Sequence, residues 1–272
     1  MCPACGRFYQ GLAEGDAGGL ASWTRPARFV AHCLLLETDE GLVLVDTGLG
    51  TQDLANPRRL GGLFTGLLRP RLEPEETALA QVRALGFSPA DVRHVVVTHL
   101  DLDHAGGLSD FPDAQVHVFH REHAAAMAPT WRERERYCQA QWAHGPRWVL
   151  HEVDGERWHG FERVRPVPGL GDEVLMVPLH GHTRGHCAIA VKADDGWLVH
   201  AGDAYFFHGE MAPERRCPPG LRMFQSIVEM QRGARLANQA RLRALANGPE
   251  AAGGGIRVFC AHDPVEFERF AR

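Results

Sequence analysis

Residues 95–107 read Val95-Val96-Val97-Thr98-His99-Leu100-Asp101-Leu102-Asp103-His104-Ala105-Gly106-Gly107. The valines close a β-branched run, Val92 to Thr98, that predicts a strand. That strand leads into four side chains able to bind metal within six residues: His99, Asp101, Asp103 and His104. Leu100 and Leu102 alternate with them, so ligands can converge while the spacers pack away. Carboxylate and neutral imidazole together suit zinc, manganese or iron. Ala105-Gly106-Gly107 predicts a tight backbone turn beside the site. An incidental polar loop is the alternative, and a HxDxDH cluster directly after an apolar strand argues against it.

The pattern recurs on both sides of this stretch. Gly181-His182-Thr183-Arg184-Gly185-His186 follows a predicted strand at 173–179. Gly202-Asp203 follows one at 197–201, and His262-Asp263 follows one at 256–260. Upstream, Asp46-Thr47-Gly48 ends the strand Gly41 to Val45, which pairs with Phe29 to Glu37 across a Thr38-Asp39-Glu40 turn. A mixed sheet can bring such strand ends to one edge, and loops on a rigid scaffold are where sites form.

Further strands are predicted at Gln115–His120 and Cys187–Lys192. Helices are predicted at Glu75–Leu85, Arg121–Ala128 and Gln225–Ala246. Residues 1–28 are weakly patterned, and residues 50–73 read as a mobile loop. Residues 129–172 read as an irregular insert bordering the active site. Within it WRERERYCQAQW looks helical, its RERER run a solvated face held by ion pairs. Strands and helices alternate in two halves with no short repeat, which predicts packed sheets with helices outside, in a single domain spanning 1–272.

Composition narrows the function. The 272 residues (30.0 kDa) are 44% hydrophobic and 23% charged, which excludes disorder, a collagen-like fibre and a coiled coil. A chain of this length can bury ~75% of its unfolded surface. No window approaches ~18 consecutive apolar residues. The net charge of −5 argues against nucleic acid as a partner. Seven scattered cysteines, with no export pattern in MCPACGRFYQ, lead to the expectation of free thiols and a cytoplasmic location. Cys2 and Cys5 form a lone CxxC and read as terminal thiols. The 16 histidines are the unusual feature.

In that order, LVDTG, THLDLDHAGG, GHTRGH, AGDAYF and CAHD resemble the metallo-β-lactamase superfamily, from about Phe29 to Asp263. The resemblance implies an α/β (α+β) four-layer αβ/βα sandwich, two mixed sheets face to face, with a metal site along one edge. It implies two divalent metal ions, zinc foremost, with iron or manganese as the alternatives. His99, His182 and Asp203 match ligands of the first, and Asp101 stands where a third histidine usually does. Asp103, His104, Asp203 and His262 match ligands of the second, with Asp203 bridging. Asp46 and His186 match supporting residues.

Asp101 departs from the usual HxHxDH pattern. Three carboxylates against two dications leave +1, where a histidine would leave +2. A bound water should then be acidified less, and preference should move from zinc toward iron or manganese. A similar carboxylate occurs in the flavodiiron branch, whose added flavodoxin-like domain this chain has no room for. Alternatively, Asp101 does not ligate and only the second site fills.

The implied chemistry is metal-assisted hydrolysis by a hydroxide shared between ions ~3.5–4 Å apart. Asp103 would position the nucleophile or pass a proton. A carboxylic ester or lactone is the expected small-molecule substrate. An iron-dependent redox enzyme handling oxygen or persulfide, a phosphodiester hydrolase and a non-catalytic binding protein are the rival readings. No nucleic-acid or membrane partner is expected, and a homodimer is left open.

Other residues carry two readings each. Tyr205 lies one position before the place where the lactonase branch carries a tyrosine, here Phe206; it is an oxyanion donor or a packed aromatic. Arg184 binds a substrate anion or lies at the surface. His208 is a candidate for the pocket lining. His117, His120 and His123 read as surface histidines. Trp131, Trp142, Trp148 and Trp158 wall a pocket, form a dimer contact or pack in the core.

Overall fold

The computed structural model describes residues 7–10 and 27–270; Cys2 and Cys5 lie outside them. Strand β1 (Arg7–Gln10), within the weakly patterned segment, pairs antiparallel with β2 (Ala27–Val30). The first half of the chain forms β3 (Leu34–Thr38), β4 (Gly41–Val45), β5 (Val92–Val96), β6 (Gln115–Phe119) and β7 (Arg147–His151), one sheet in that order. Only β3 and β4 are antiparallel; the other pairings are parallel. The second half forms β8 (Glu156–Trp158), β9 (Phe161–Pro166), β10 (Val174–Pro178), β11 (Cys187–Ala193), β12 (Gly196–His200) and β13 (Ile256–Phe259). That sheet runs β13-β12-β11-β10-β9-β8, with only β12 and β13 parallel.

The period of two along the central strands builds the layers. Val43 and Val45 of β4 join Met176, Ile189 and Phe259 in a cluster between the sheets. Leu42 and Leu44 instead join Ala78 and Val82 of α3 (Ala78–Ala84) and Ala125 and Ala126 of α4 (His120–Met127). Ala188 and Ala190 of β11 pack with Leu242 of α6 (Arg232–Ala246) on the opposite outer face. Three apolar interfaces therefore separate four layers, helix, sheet, sheet and helix, as expected. Among the described residues no helix is long and apolar enough to cross a membrane.

Several elements differ from the sequence reading, each where a distant contact outweighs local propensity. Phe29–Glu37 is broken between β2 and β3, because Val30 N and His32 N donate to the carbonyls of His262 and Ala261 (3.2 and 2.9 Å). Residues 50–73 are not a plain loop: they hold α1 (Thr51–Ala55), a 3-10 turn at Pro57–Leu60 and α2 (Gly62–Leu68). Buried Asp53 accepts from Gly50 N and pairs with Arg59 across that stretch. The 129–172 stretch contains β7, β8 and β9.

Trp131–Arg136 forms turns rather than a helix. Glu133 is buried there, accepting from Thr130 and from Arg184, so RERER is no solvated helix face. The predicted helix Gln225–Ala246 is two, α5 (Pro219–Val228) and α6. They part where Met230 N and Gln231 N donate to the Gly181 carbonyl (2.9 and 2.8 Å).

Of the three histidines expected at the surface, His120 is exposed and His117 is not. His117 is buried, between His94 (2.9 Å) and His151 (3.0 Å) on neighbouring strands. The tryptophans do not cluster: Trp142 and Trp148 pack under the first sheet, and Trp158 against Trp197 in the second half.

Candidate metal centre

The loops after β4, β5, β10, β12 and β13 meet at one edge of the sandwich. Gly106 and Gly107 lie in the expected tight turn, where Leu108 N donates to the Ala105 carbonyl (3.2 Å), and they also serve close approach. A Cβ on Gly106 would stand 2.4 Å from Asp53 Oδ2, and one on Gly107 would stand 3.0 Å from Thr47.

The outer ring nitrogens of His99, His104 and His262 are occupied, whereas Nδ1 of His182 has no hydrogen-bond partner among the described residues. His104 Nδ1 donates to Asp46 Oδ2 (2.8 Å), His99 Nδ1 to Thr98 Oγ1 (2.9 Å) and His262 Nδ1 to the Val30 carbonyl (2.7 Å). Each bond fixes a tautomer whose Nε2 lone pair faces inward. Thr98 Oγ1 in turn donates to Asp46 Oδ2 (2.8 Å).

Asp203 sits between these nitrogens. Its Oδ2 lies 3.3 Å from His182 Nε2 and 3.9 Å from His99 Nε2; its Oδ1 lies 3.0 Å from His262 Nε2 and 3.3 Å from His104 Nε2. Two donor groups result: His99, His182 and Asp203, and Asp103, His104 and His262. Asp101 Oδ2 reaches His182 Nε2 (3.0 Å) and His99 Nε2 (3.4 Å). Buried His99 Nε2 and Asp203 Oδ1 have no hydrogen-bond partner among the described residues. Orphaned inward-facing acceptors are costly unless a cation takes them up. This donor set therefore fits divalent metal.

The electrostatics agree. Burial disfavours a charged Asp203, yet His262, His104 and His182 hold its carboxyl well below the usual range. Burial opposes a charged His104, but Asp203 and Asp46 outweigh it and raise the ring well above its ordinary value, so a proton competes with a metal for its Nε2. Burial brings His182 down to about 4 against the pull of Asp203, leaving a neutral imidazole ready to ligate.

Asp46 and His186 both touch donor residues directly. Asp46 accepts from Thr98 N (2.7 Å), Thr98 Oγ1 and His104. His186 donates from Nδ1 to the Leu179 carbonyl and accepts from Asp203 N (2.9 Å), which seats Asp203.

Three candidates lie elsewhere. Tyr205 is fully buried, its hydroxyl on Glu266 (3.0 Å), so it is the packed aromatic and no oxyanion donor. Arg184 is spent on Glu133 (2.7 and 2.9 Å). His208 pairs with Asp263 (2.9 Å) and does not line the cavity.

Two residues escaped the sequence reading. Buried Glu122 accepts from Leu100 N, Tyr137 Oη, Thr183 Oγ1 and Gly185 N, so it joins the His99 and His182 loops. Its signal is an acid sharing a helix face with Ala125 and Ala126. Arg136, Nε 3.2 Å from Asp101 Oδ1, gave no signal within a run of charges.

A cavity of about 520 Å³ opens above the donor groups. Asp101, Asp103, His182, Asp203 and His262 form its floor. Its walls are mostly apolar, from Phe29, Phe206, α2 (Leu63, Phe64, Leu67, Leu68), α5 (Phe224, Ile227, Val228) and Trp131, which is 79% exposed, with Arg132, Glu135 and Arg136 also lining it. The 129–172 stretch thus borders the site through Trp131–Arg136. Phe206 stacks on His262 (5.3 Å, 10°).

Residues 27–241 match the family described as Metallo-beta-lactamase superfamily. A probable metallo-hydrolase of Mycobacterium bovis is 45% identical over 238 residues, covering 86% of this chain and 75% of the relative. The N-acyl homoserine lactonase AttM of Azorhizobium caulinodans is 28% identical over 260 residues, covering 94% and 89%. In fold the chain is similar to a crystallised variant of B. thuringiensis AiiA with N-decanoyl-L-homoserine bound. The TM-score is 0.71 at 22% identity, over 100% of this chain and 94% of that one.

Proposed function

Because the chain belongs to the metallo-β-lactamase superfamily, we propose that it is a dinuclear metallohydrolase of carboxylic esters or lactones that carry an apolar acyl chain. The single observation behind this reading is the meeting of inward-facing imidazoles and Asp203 at the floor of an apolar cavity. His99, His182, Asp203 and Asp101 would hold one ion, and Asp103, His104, His262 and Asp203 the other. Bound there, such ions supply Lewis acidity and an acidified water.

The chain's own residues do the rest. Phe29, Phe64, Phe206 and Phe224 bury the acyl group and exclude water from the floor. Asp103, half-buried at that floor with Oδ2 3.7 Å from His262 Nε2, would orient the attacking water and carry its proton to the leaving oxygen. The mostly apolar walls favour an acyl group. The AttM and AiiA relatives act on lactones by name, which supports the same class.

The test is a screen of lactones and aryl esters of increasing acyl length, with protein reconstituted separately in zinc, manganese and iron. We expect kcat/KM to rise with chain length, each buried methylene contributing up to ~0.8 kcal/mol. Indifference to chain length, or no hydrolysis with any metal, would refute the reading. A visible iron band with redox turnover alone would favour the rival enzyme.

A further inference from the structure

We propose that Asp101 and Arg136 act as one unit in place of the histidine usual in HxHxDH, with Arg136 as the positioning residue. The inference rests on the metallohydrolase reading. The two oxygens of Asp101 face opposite ways: Oδ2 toward His182 Nε2 (3.0 Å) and His99 Nε2 (3.4 Å), Oδ1 toward Arg136 Nε (3.2 Å). One oxygen is therefore offered to the first donor group, and the guanidinium restrains the other.

Arg136 is itself anchored. Its Nη1 donates to the His182 carbonyl and its Nη2 to the Val228 carbonyl, both at 2.9 Å. Its own carbonyl accepts from Leu102 N (3.0 Å). One side chain thus ties the Asp101 loop, the His182 loop and the α5 wall of the cavity. Both Asp101 and Arg136 side chains are 11% exposed, so each charge needs the other.

The pairing changes the charge count. A carboxylate alone lowers the net charge of a two-dication centre by one, and the adjacent guanidinium restores it. The weaker Lewis acidity expected from Asp101 alone is therefore offset. Removing only the carboxylate leaves a buried cation beside the first ion, whereas removing both leaves a neutral gap.

The experiment measures metal content and chelator-competition affinity for wild type, D101N, R136Q and D101N/R136Q, with thermal melts to establish folding. D101N should weaken first-site affinity by about 10–100-fold. R136Q in the same background should recover the part of that loss caused by the unpaired cation, a rescue that a merely structural arginine would not give. Equal metal loss in D101N and D101N/R136Q, both folded, overturns the pairing. So does full metal affinity in D101N. A wild type that binds no metal fails the function reading itself, whereas a two-metal wild type with an additive cycle fails only the pair.

Discussion

Asp46 shows how one residue pays for a site. Its φ is +56°, a left-handed conformation that non-glycine residues seldom adopt. The contacts from Thr98 and His104 hold it there. Asp46→Ala should free the His104 ring and lower metal affinity by about 10–100-fold, read by chelator competition; wild-type affinity would contradict this. Asp203 faces both donor groups and His182 only one. Asp203→Ala should therefore strip both ions and His182→Ala one, by metal analysis. Unchanged metal in both variants would refute the assignment.

At the scale of elements, α4 and the His182 loop are in backbone contact. A Cβ on Gly185 would stand 2.3 Å from Glu122 N. Gly185→Ala should force them apart and cost about 1–3 kcal/mol in denaturant unfolding; neutral stability would show that the loop yields freely. Helices α2 and α5 present Leu67 and Ile227 at the cavity while both remain exposed. Leu67→Asp and Ile227→Asp should fold normally and lower kcat/KM for long-chain esters about 10-fold or more, leaving acetyl esters little changed. An equal effect on both substrates would remove α2 and α5 from acyl recognition.

At the scale of the molecule, donors from both halves meet. His99, Asp103 and His104 follow the first sheet, and His182, Asp203 and His262 come from the second. Metal should staple the halves, so chelation should lower Tm; free metal at ~100 Kd is worth about 2.7 kcal/mol per site. The buried His94, His117 and His151 row gives a pH signature. Burial, with His151 and His94 beside it, holds His117 at about 3, and burial with Arg165 holds His151 at about 4. Unfolded histidine titrates near ~6.5, so below that pH the unfolded chain binds more protons. Stability should therefore fall as pH drops from about 6.5 toward 4. His117→Gln should flatten that slope by up to about 1.4 kcal/mol per pH unit relative to wild type. Identical slopes would mean that His117 charges freely in the fold.

The strand run before His99, its alternating donors and the later His182, Asp203 and His262 were legible because they follow local rules: period two, apolar strand ends and ligand chemistry. These rules carried the four layers and the donor list. Tertiary structure alone decided which partner each remaining polar group took. Tyr205 went to Glu266, Arg184 to Glu133 and Arg136 to Asp101, over separations that no spacing encodes. The contacts of Glu133 and Arg136 unwound RERER, and backbone bonds from Met230 and Gln231 to Gly181 split the helix. A buried charge goes to whichever opposite group the packed chain brings within reach, and that choice exists only after folding.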